Sequence, residues 1–483
     1  MQFRSVFRVL GLLLIFFSIT MLVPIPVGYY FNQPEVWPFL LAFSITFLTG
    51  LLLWVPTRGD RAELKIRDGF FIVILFWTVL SFFSCLPIWL GIHFEVNFTD
   101  AIFESVSGFT TTGATAIANL DQVPAALLYY RQQLQFLGGM GIIVLAVAIL
   151  PMLGVGGMQL YRAETPGPMK EDKITPRITE TAKAIWVFYV GLVILCSLAY
   201  WAAGMPIFDA VEESFGTIST GGFSIHNASF AYYHSNLIDV VCIIFMLLGG
   251  TNFSLHYLSV TRGSIRVYLR DVEFRYYIAI AALVSFIGLV VLSIYHVYPG
   301  IWNSLVKSTF AVVSVMTTTG FVDGAFATWP LFIPVLIILL GLLGSCGGST
   351  SGGMKMLRFV LLKKQLGREL KRLIHPQGVY AVKINNRVVP EHVVEAVWAF
   401  VTAYIALLLI GVLLIMATGL DFTTAFGSMA SALGNVGAAI GQYAYNMADL
   451  NSFSKWVLIV GMLAGRLEIF TLLVIFSRSF WQR

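Results

Sequence analysis

The chain has 483 residues, of which 58% are hydrophobic and only 11% are charged. A soluble protein carries about 25% charged residues, so this composition excludes a soluble globular protein. The formal net charge is +5, and apolar runs of roughly 20 residues, long enough to cross a bilayer, recur from end to end. A series of short alternating strands, as in a β-barrel, is not visible. We therefore predict an all-α polytopic membrane protein.

Two apolar segments come first, at about residues 5–30 and 36–56, and both are predicted to be membrane helices. The first has a basic start, with Arg4 and Arg8, and then an apolar run from Val9 to about Tyr30. It is longer than the core of a signal peptide and lacks a small-residue cleavage site, which indicates a retained helix.

A unit of membrane helix (M1), short re-entrant pore helix, glycine-ended loop and second membrane helix (M2) is then predicted four times. Internal repeats of this kind favour pseudo-fourfold symmetry within one chain. The predicted division is an N-terminal two-helix region, 1–67, followed by four repeats, 68–179, 180–273, 274–391 and 392–483. The third repeat also carries a candidate gate loop and a basic cytoplasmic segment.

The four glycine-ended loops carry the predicted chemistry. A potassium ion must exchange its water shell for oxygens, and stacked backbone carbonyls can supply them where glycine permits the required backbone angles. The relevant positions are each terminal glycine and the two residues before it. These are Thr111, Thr112 and Gly113; Thr220, Gly221 and Gly222; Thr318, Thr319 and Gly320; and Asn435, Val436 and Gly437. Four such loops between membrane helices predict the filter of a cation-conducting pore, in preference to helix-packing glycines.

Charge predicts the topology. With a cytoplasmic N-terminus and ten crossing helices, all Lys and Arg residues fall in cytoplasmic segments except Arg131, Lys307, Lys455 and Arg466. This asymmetry follows the positive-inside rule and places both termini in the cytoplasm. Many acidic residues fall on the outer side, and two interpretations are open: a negative outer mouth that attracts cations, or acids that merely solvate loops. They are Glu35, Glu95, Asp100, Glu104, Asp121, Asp209, Glu212, Glu213, Asp239, Asp323, Asp421 and Asp449.

A run of small residues interrupts the apolar segment from about Pro330 to Leu361. It consists of Gly344, Ser345, Cys346, Gly347, Gly348, Ser349, Thr350, Ser351, Gly352 and Gly353. Such a run cannot form a stable lipid-facing helix, and unwound backbone at membrane depth requires surrounding protein or water. The run is therefore predicted to project into the pore below the filter. It resembles a phosphate-binding loop but lacks the Gly-Lys-Ser/Thr ending, which excludes an ATPase.

Arg466 lies with Glu468 in what is predicted to be the last apolar helix. An arginine at this depth normally faces a wet cavity or a partner, so its charge would repel a cation and help to hold the pore closed. The alternative is a structural ion pair near the cytoplasmic interface. The basic segment 363–390 has three interpretations: topogenic charge, contact with anionic membrane lipid, or a docking surface for a cytosolic partner.

The remaining reactive residues form no recognisable catalytic pattern. The four cysteines are scattered singly and the seven histidines are dispersed without an HExxH motif, so neither catalytic residues nor a bound organic cofactor is predicted. Two alternatives remain open. One is a secondary symporter of potassium with protons or sodium, although no buried carboxylate pair stands out in the sequence. The other, a polytopic membrane enzyme, lacks the necessary motifs.

The four loops, the GGSTSGGMK run and the AGRLEIF segment together resemble the Trk/Ktr/HKT superfamily of potassium transporters, and within it the bacterial Trk pore-forming subunits, over essentially the whole chain. The resemblance implies potassium as the transported ion, ligated by carbonyls of the filter residues. It also implies that residues 344–353 form an intramembrane gate loop, with Arg466 across the pore from it. Glycine at all four filter positions goes with potassium preference in the family. The departures at Gly221 and Asn435-Val436 suggest looser selectivity than in a channel of four identical subunits.

The resemblance further implies a set of partners and a location. Members are homodimers in the bacterial inner membrane, and they bind a TrkA-like cytosolic ring of nucleotide-binding RCK/KTN-type subunits, for which the basic segment 363–390 would be the surface. No nucleic-acid partner is expected.

Overall fold

The structure, a computed structural model, describes residues 2–33, 36–59, 65–92, 96–139, 141, 178–385 and 387–482. Its regular structure is helical apart from one two-stranded antiparallel hairpin, Lys383–Ile384 with Arg387–Val388. The predicted all-α polytopic fold, with two N-terminal helical segments and four repeats of M1, pore helix and M2, is confirmed. Glu35, Glu95 and the end of the first repeat, 142–177, lie outside the described residues.

The N-terminal region consists of helices Phe3–Thr20, Pro24–Tyr30 and Trp37–Trp54. The first and third pack closely where Gly11 faces Gly50. A Cβ built on Gly11 would lie 2.8 Å from the carbonyl oxygen of Gly50, and one built on Gly50 would lie 2.9 Å from that of Gly11. Small residues let helix backbones approach in a membrane, where apolar side chains gain little over lipid.

Each repeat supplies one long M1 helix and one short pore helix. The M1 helices are Ile66–Gly91, Ile178–Ala202, Val272–Ile294 and Glu391–Met416. The pore helices are Phe98–Phe109, Ile207–Ile218, Ile301–Met316 and Phe422–Gly434. The pore helices are largely enclosed beyond their first residues, and in the first of them every residue from Asp100 to Phe109 is buried. Side-chain caps satisfy amides at two pore-helix starts, where Asn97 accepts from Asp100 and Asp421 accepts from Thr424.

The M2 helices are shorter than the M1 helices, and two of them are sharply bent. They are Ala125–Gly139, Asn236–Gly249 with Phe253–Arg262, Ile333–Leu343, and Ser452–Arg466 with Phe470–Phe476. The bend in the second repeat is 94° and that in the fourth is 110°. By length and apolarity, six described helices can cross a membrane, or eight if each bent pair is one span. The first M2 helix runs towards residues 142–177, and the third ends at the candidate gate loop.

The sequence predicted one continuous last apolar helix, but in the structure this helix is broken. It ends at Arg466, and both Glu468 and Ile469 have positive φ angles, 51° and 53°. Positive φ angles at two successive residues turn the chain away from the helix axis. Arg466 thus stands at a helix end beside the gate loop instead of in a helix interior.

The part of the third repeat that is predicted to be cytoplasmic forms a small packed unit. Helix Met356–Ile374 follows the gate loop, the hairpin follows this helix, and the fourth M1 helix begins at Glu391. A cluster separate from the main core joins all three: Leu361, Val382, Ile384, Val389, Val394 and Val397.

Candidate ion-conduction site

The four predicted filter loops adopt the same backbone conformation in the same register. The residue two positions before each terminal glycine is left-handed, and the glycine itself has a positive φ angle. The φ angles are 53° at Thr111, 51° at Thr220, 58° at Thr318 and 53° at Asn435, and then 82° at Gly113, 80° at Gly222, 80° at Gly320 and 86° at Gly437. Four segments of different sequence therefore form one repeated structure.

Three of these left-handed residues are threonines, for which this conformation is strained. A β-branched residue in the left-handed region is an outlier, and such strain persists only where surrounding contacts hold it. One backbone hydrogen bond recurs in every loop and provides part of that restraint. The donor–acceptor pairs are Thr112 to Ser107 at 2.8 Å, Gly221 to Gly216 at 2.8 Å, Thr319 to Ser314 at 2.8 Å and Val436 to Ser431 at 2.9 Å.

The four loops converge and close into a ring. A Cβ built on each terminal glycine would overlap the carbonyl oxygen that precedes the glycine of the next loop. The pairs are Gly113 with Gly221, Gly222 with Thr319, Gly320 with Val436, and Gly437 with Thr112. The last pair returns to the first repeat. Glycine is required at all four positions because the backbones of neighbouring loops touch there.

An outer cavity of about 310 Å³ opens onto this ring, and all four terminal glycines line it. The pore helices end immediately before the loops, at Phe109, Ile218, Met316 and Gly434. The carboxyl end of a helix carries partial negative charge. The ring therefore combines four converging loops with four helix ends whose dipoles favour a cation.

The candidate gate loop lies directly against the inner side of the ring. The Gly352 amide donates to the Thr318 hydroxyl at 2.7 Å, and the Thr350 hydroxyl lies 3.2 Å from that of Thr220. Thr350 also donates to the Ile218 carbonyl at 2.9 Å. A Cβ built on Gly352 would overlap the carbonyl oxygen of Gly434 in the fourth repeat. The loop thus contacts three of the four repeats at the filter.

Arg466 connects this loop to the remaining repeat. Its guanidinium donates to the carbonyl of Thr350 at 2.9 Å and to that of Gly138, in the first M2 helix, at 2.7 Å. The guanidinium also lies 5.0 Å from the ring of Trp77. Glu468 forms its ion pair with a different cation, Arg358. Arg466 is therefore a direct contact of the candidate gate loop.

Many of the acids predicted to form a negative outer mouth are instead buried and paired within the fold. Six of the twelve acids are buried: Asp100, Glu104, Glu212, Glu213, Asp239 and Asp323. The three outer cations pair with four of them, in the pairs Arg131 with Glu104 at 2.6 Å, Lys455 with Asp100 at 2.5 Å, and Lys307 with both Asp239 and Asp323. These ion pairs remove a large part of the net negative charge that was predicted for the outer mouth. The reason is that these acids lie within or against pore helices that are enclosed by protein.

Sequence reasoning missed two of these acids as supports of the filter. Glu104 accepts from the Ala116 amide at 2.8 Å, and Glu213 accepts from the Ile225 amide at 3.1 Å. The two carboxylates occupy matching positions in the first and second repeats, and each binds the third residue after its filter glycine. Comparing the repeats in register would have revealed the match.

These features define a polytopic membrane protein of the pore-loop class, in which four re-entrant helices bring four loops to one constriction. Comparison with known families is more specific. The chain belongs to the TrkH family of cation transport proteins, whose family model matches residues 38–483. The predicted resemblance to the Trk/Ktr/HKT superfamily is confirmed. The family is one of transport proteins, so a membrane enzyme is set aside.

Full-length relatives support the assignment. The chain is 48% identical to the Trk system potassium uptake protein TrkH of Vibrio parahaemolyticus and 48% identical to that of Escherichia coli K12, in each case over 100% of both chains. It is 38% identical to the E. coli protein TrkG over 99% of both chains. The crystal structure of the potassium transporter TrkH from V. parahaemolyticus matches 100% of both chains with a TM-score of 0.91 and 45% identity.

Proposed function

We propose that the chain takes up potassium across the bacterial inner membrane through the ring of four glycine-ended loops. The observation that carries the proposal is the ring itself, in which the glycine of each repeat meets the carbonyl of the next. Backbone carbonyls aimed at one axis replace the hydration shell of a monovalent cation. The ligands are the carbonyls of the twelve filter residues named above. The relatives that cover the whole chain are named as potassium uptake proteins.

In this proposal residues 344–353 and Arg466 form the gate. The loop occupies the inner side of the filter, and Arg466 holds it through the carbonyl of Thr350. A cation that leaves the filter towards the cytoplasm meets this loop, so conduction requires the loop to move. A cytosolic nucleotide-binding ring of the RCK/KTN type, bound at the basic segment 363–390, would drive that movement. The chain would act as a homodimer with both termini in the cytoplasm.

Reversal potentials test the selectivity. Purified protein in a planar bilayer under opposed potassium and sodium gradients should reverse near the potassium equilibrium potential. Reversal midway between the two equilibrium potentials would contradict a potassium filter.

A deletion tests the gate. Removal of residues 347–352 should raise potassium flux into proteoliposomes in the absence of any regulator, because the contacts with Thr220 and Thr318 are lost. Unchanged flux in a variant that stays monodisperse would contradict the gate while leaving the filter proposal intact.

One observation favours coupled symport as a second candidate. The adjacent carboxyls of Glu212 and Glu213 are both fully buried in the second pore helix, a pair that the sequence did not reveal. Neither side-chain oxygen of Glu212 has a hydrogen-bond partner among the described residues. A symporter would lose its coupling ion in Glu212→Gln, so proton movement would no longer follow potassium. Single-channel currents far above carrier turnover would exclude this candidate.

A further inference from the structure

One buried carboxylate anchors the gate loop from the cytoplasmic side. Glu273 is the second residue of the third M1 helix and is 8% exposed. Its Oε1 atom accepts from the amide of Gly347 at 2.7 Å and from the amide of Leu357 at 2.9 Å. Gly347 lies within the gate loop, and Leu357 lies in the first turn of the helix that follows it. One oxygen thus holds both the loop and its cytoplasmic end.

The hydrogen bond from Leu357 to Glu273 gives an acceptor to one of the first amides of helix Met356–Ile374. The first amides of a helix have no partner within the helix, and a carboxylate is the favoured acceptor there. Lys355, the residue before helix Met356–Ile374, has a φ of 73° and cannot continue that helix backwards. The chain therefore changes direction between the two amides, and Glu273 spans the turn.

The residues just before Glu273 are bound to the cytoplasmic hairpin. Asn385, in the turn between the two strands, accepts from the Val272 amide at 3.2 Å and donates to the Asp271 carboxylate at 3.3 Å. Asp271 in turn accepts from the Phe274 amide at 2.8 Å and so begins the M1 helix. The hydrogen bonds of Asn385, the backbone from Asp271 to Glu273 and the hydrogen bonds of Glu273 together connect the hairpin turn, the start of this helix and the gate loop.

The hairpin belongs to the cytoplasmic unit that a partner would contact. Ile384 packs in the separate cluster with Leu361 and Val394, and Lys364 donates to the carbonyl of Lys383 at 2.5 Å. These contacts attach the hairpin to helix Met356–Ile374 and to the fourth M1 helix. Displacing this unit would pull on Asn385 and, through residues 271–272, on Glu273.

We infer that Glu273 is the clasp that keeps the gate loop closed, and that the Asn385 turn transmits cytoplasmic movement to it. Glu273 is a positioning residue: it touches the loop and not the ion. The inference rests on the gate proposed above and adds the residues through which that gate is controlled.

Flux through three variants tests the clasp. Glu273→Ala should raise potassium flux into proteoliposomes without a regulator by about tenfold, since loss of a charge-assisted hydrogen bond changes an equilibrium by roughly that factor. Glu273→Gln keeps a neutral oxygen acceptor and should give a smaller increase. Glu395→Ala, which removes an exposed acid at the start of the fourth M1 helix, is the matched control and should match the wild-type flux.

Hydrogen–deuterium exchange separates the clasp from a general loss of structure. In Glu273→Ala, peptides that cover residues 344–357 should exchange faster while those of the pore helices keep their protection. Asn385→Ala should accelerate exchange in the same gate-loop peptides, whereas Val379→Ala, at a residue 98% exposed, should not. Unchanged gate-loop exchange in Asn385→Ala would overturn the role of the turn.

The deletion of residues 347–352 tests the proposed gate separately from the Glu273 clasp. Raised flux in the deletion with wild-type flux and exchange in Glu273→Ala would overturn the clasp and leave the gate standing. If the deletion has no effect on flux, the gate proposal fails and the clasp fails with it. If all pore-helix peptides in Glu273→Ala lose protection together, Glu273 supports the fold and is not a clasp.

Discussion

The backbone amide of Gly352 donates a hydrogen bond of 2.7 Å to the side-chain hydroxyl of Thr318. This contact joins a residue of the candidate gate loop to a residue of the candidate filter, so in the proposed mechanism one residue, Thr318, belongs to the filter and also holds the gate loop. Both residues are fully or almost fully enclosed by protein. Leaving a buried amide without its acceptor costs about 1–3 kcal/mol, so this contact is a substantial part of what would hold the proposed gate closed.

Thr318→Val should therefore favour the open state. Valine keeps the shape and β-branching of threonine but removes the acceptor for the Gly352 amide. We expect the open probability in the absence of a regulator to rise about fivefold, the factor that corresponds to roughly 1 kcal/mol. Single-channel recording measures it separately from conductance. Thr318→Ser retains the hydroxyl and should resemble the wild type; an equal rise in both variants would show that the hydrogen bond is not responsible.

Gly113→Ser should erode the preference for potassium over sodium. The added Cβ would overlap the carbonyl oxygen of Gly221 in the next loop, so the ring must widen or distort at this position. We expect the permeability ratio from reversal potentials to fall by about tenfold, equivalent to ~1.4 kcal/mol of ion-site energy. Gly191→Ser is the matched control, because a Cβ at that helical position meets nothing within 4 Å. An unaltered ratio in Gly113→Ser would contradict the ring.

The position of the four candidate filter loops could be predicted because their signal is local. Each loop combines small or hydroxyl-bearing residues with a terminal glycine, and the left-handed conformation at Thr111 and at Asn435 falls at the same position of that register. The helix break at residues 344–353 could be predicted from composition, since ten small residues cannot continue an apolar helix, while their role as a gate stays a prediction. Both features depend on residues adjacent in sequence.

Features that depend on distant contacts could not be predicted. The 94° bend after Gly249 is accompanied by a hydrogen bond from the Phe253 amide to the Gly348 carbonyl, almost 100 residues further along the chain. Glu273 looks like an ordinary acid at the cytoplasmic start of a helix. Asp100 and Lys455 lie in the first and last repeats, and no sequence pattern indicates that they pair.

Lys455→Met should strongly destabilise the protein. The side chain of Lys455 lies 2.5 Å from Asp100 and also donates to the Ala448 carbonyl at 2.6 Å, so it ties the fourth M2 helix to the first pore helix. Removing one partner of a buried ion pair costs about 3–5 kcal/mol, because the other charge is left uncompensated. Thermal unfolding in detergent should show a clearly lower midpoint for Lys455→Met.

A second substitution shows whether the lost stability comes from the unpaired charge of Asp100 or from lost packing at Lys455. Asp100→Asn combined with Lys455→Met removes both charges and should recover most of the lost stability. Lys371→Met, at an exposed cytoplasmic position, should leave the midpoint unchanged. A double variant no more stable than Lys455→Met alone would assign the loss to packing, not to an unpaired carboxylate.

The outer mouth should make stability depend on pH through His226. Its imidazole lies 3.2 Å from Asp121 and 3.4 Å from Asp209, and it stacks on Tyr232 at 3.5 Å between ring centres. Burial lowers the pKa of His226, but its hydrogen bonds to Asp209 and Asp121 and the nearby Glu213 outweigh burial and raise the pKa above its ordinary value of 6.5.

Because the folded-state pKa is the higher one, folding favours the protonated imidazole. Its contribution to stability should be complete below a pH of about 6.5, the unfolded-state pKa, and should be lost as the pH rises through the folded-state pKa. The unfolding midpoint of the wild type should therefore fall over that interval. His226→Gln should remove this part of the slope, while His375→Gln, at an exposed cytoplasmic residue, should retain it. Parallel curves for the wild type and His226→Gln would show that the imidazole stays neutral between the two aspartates.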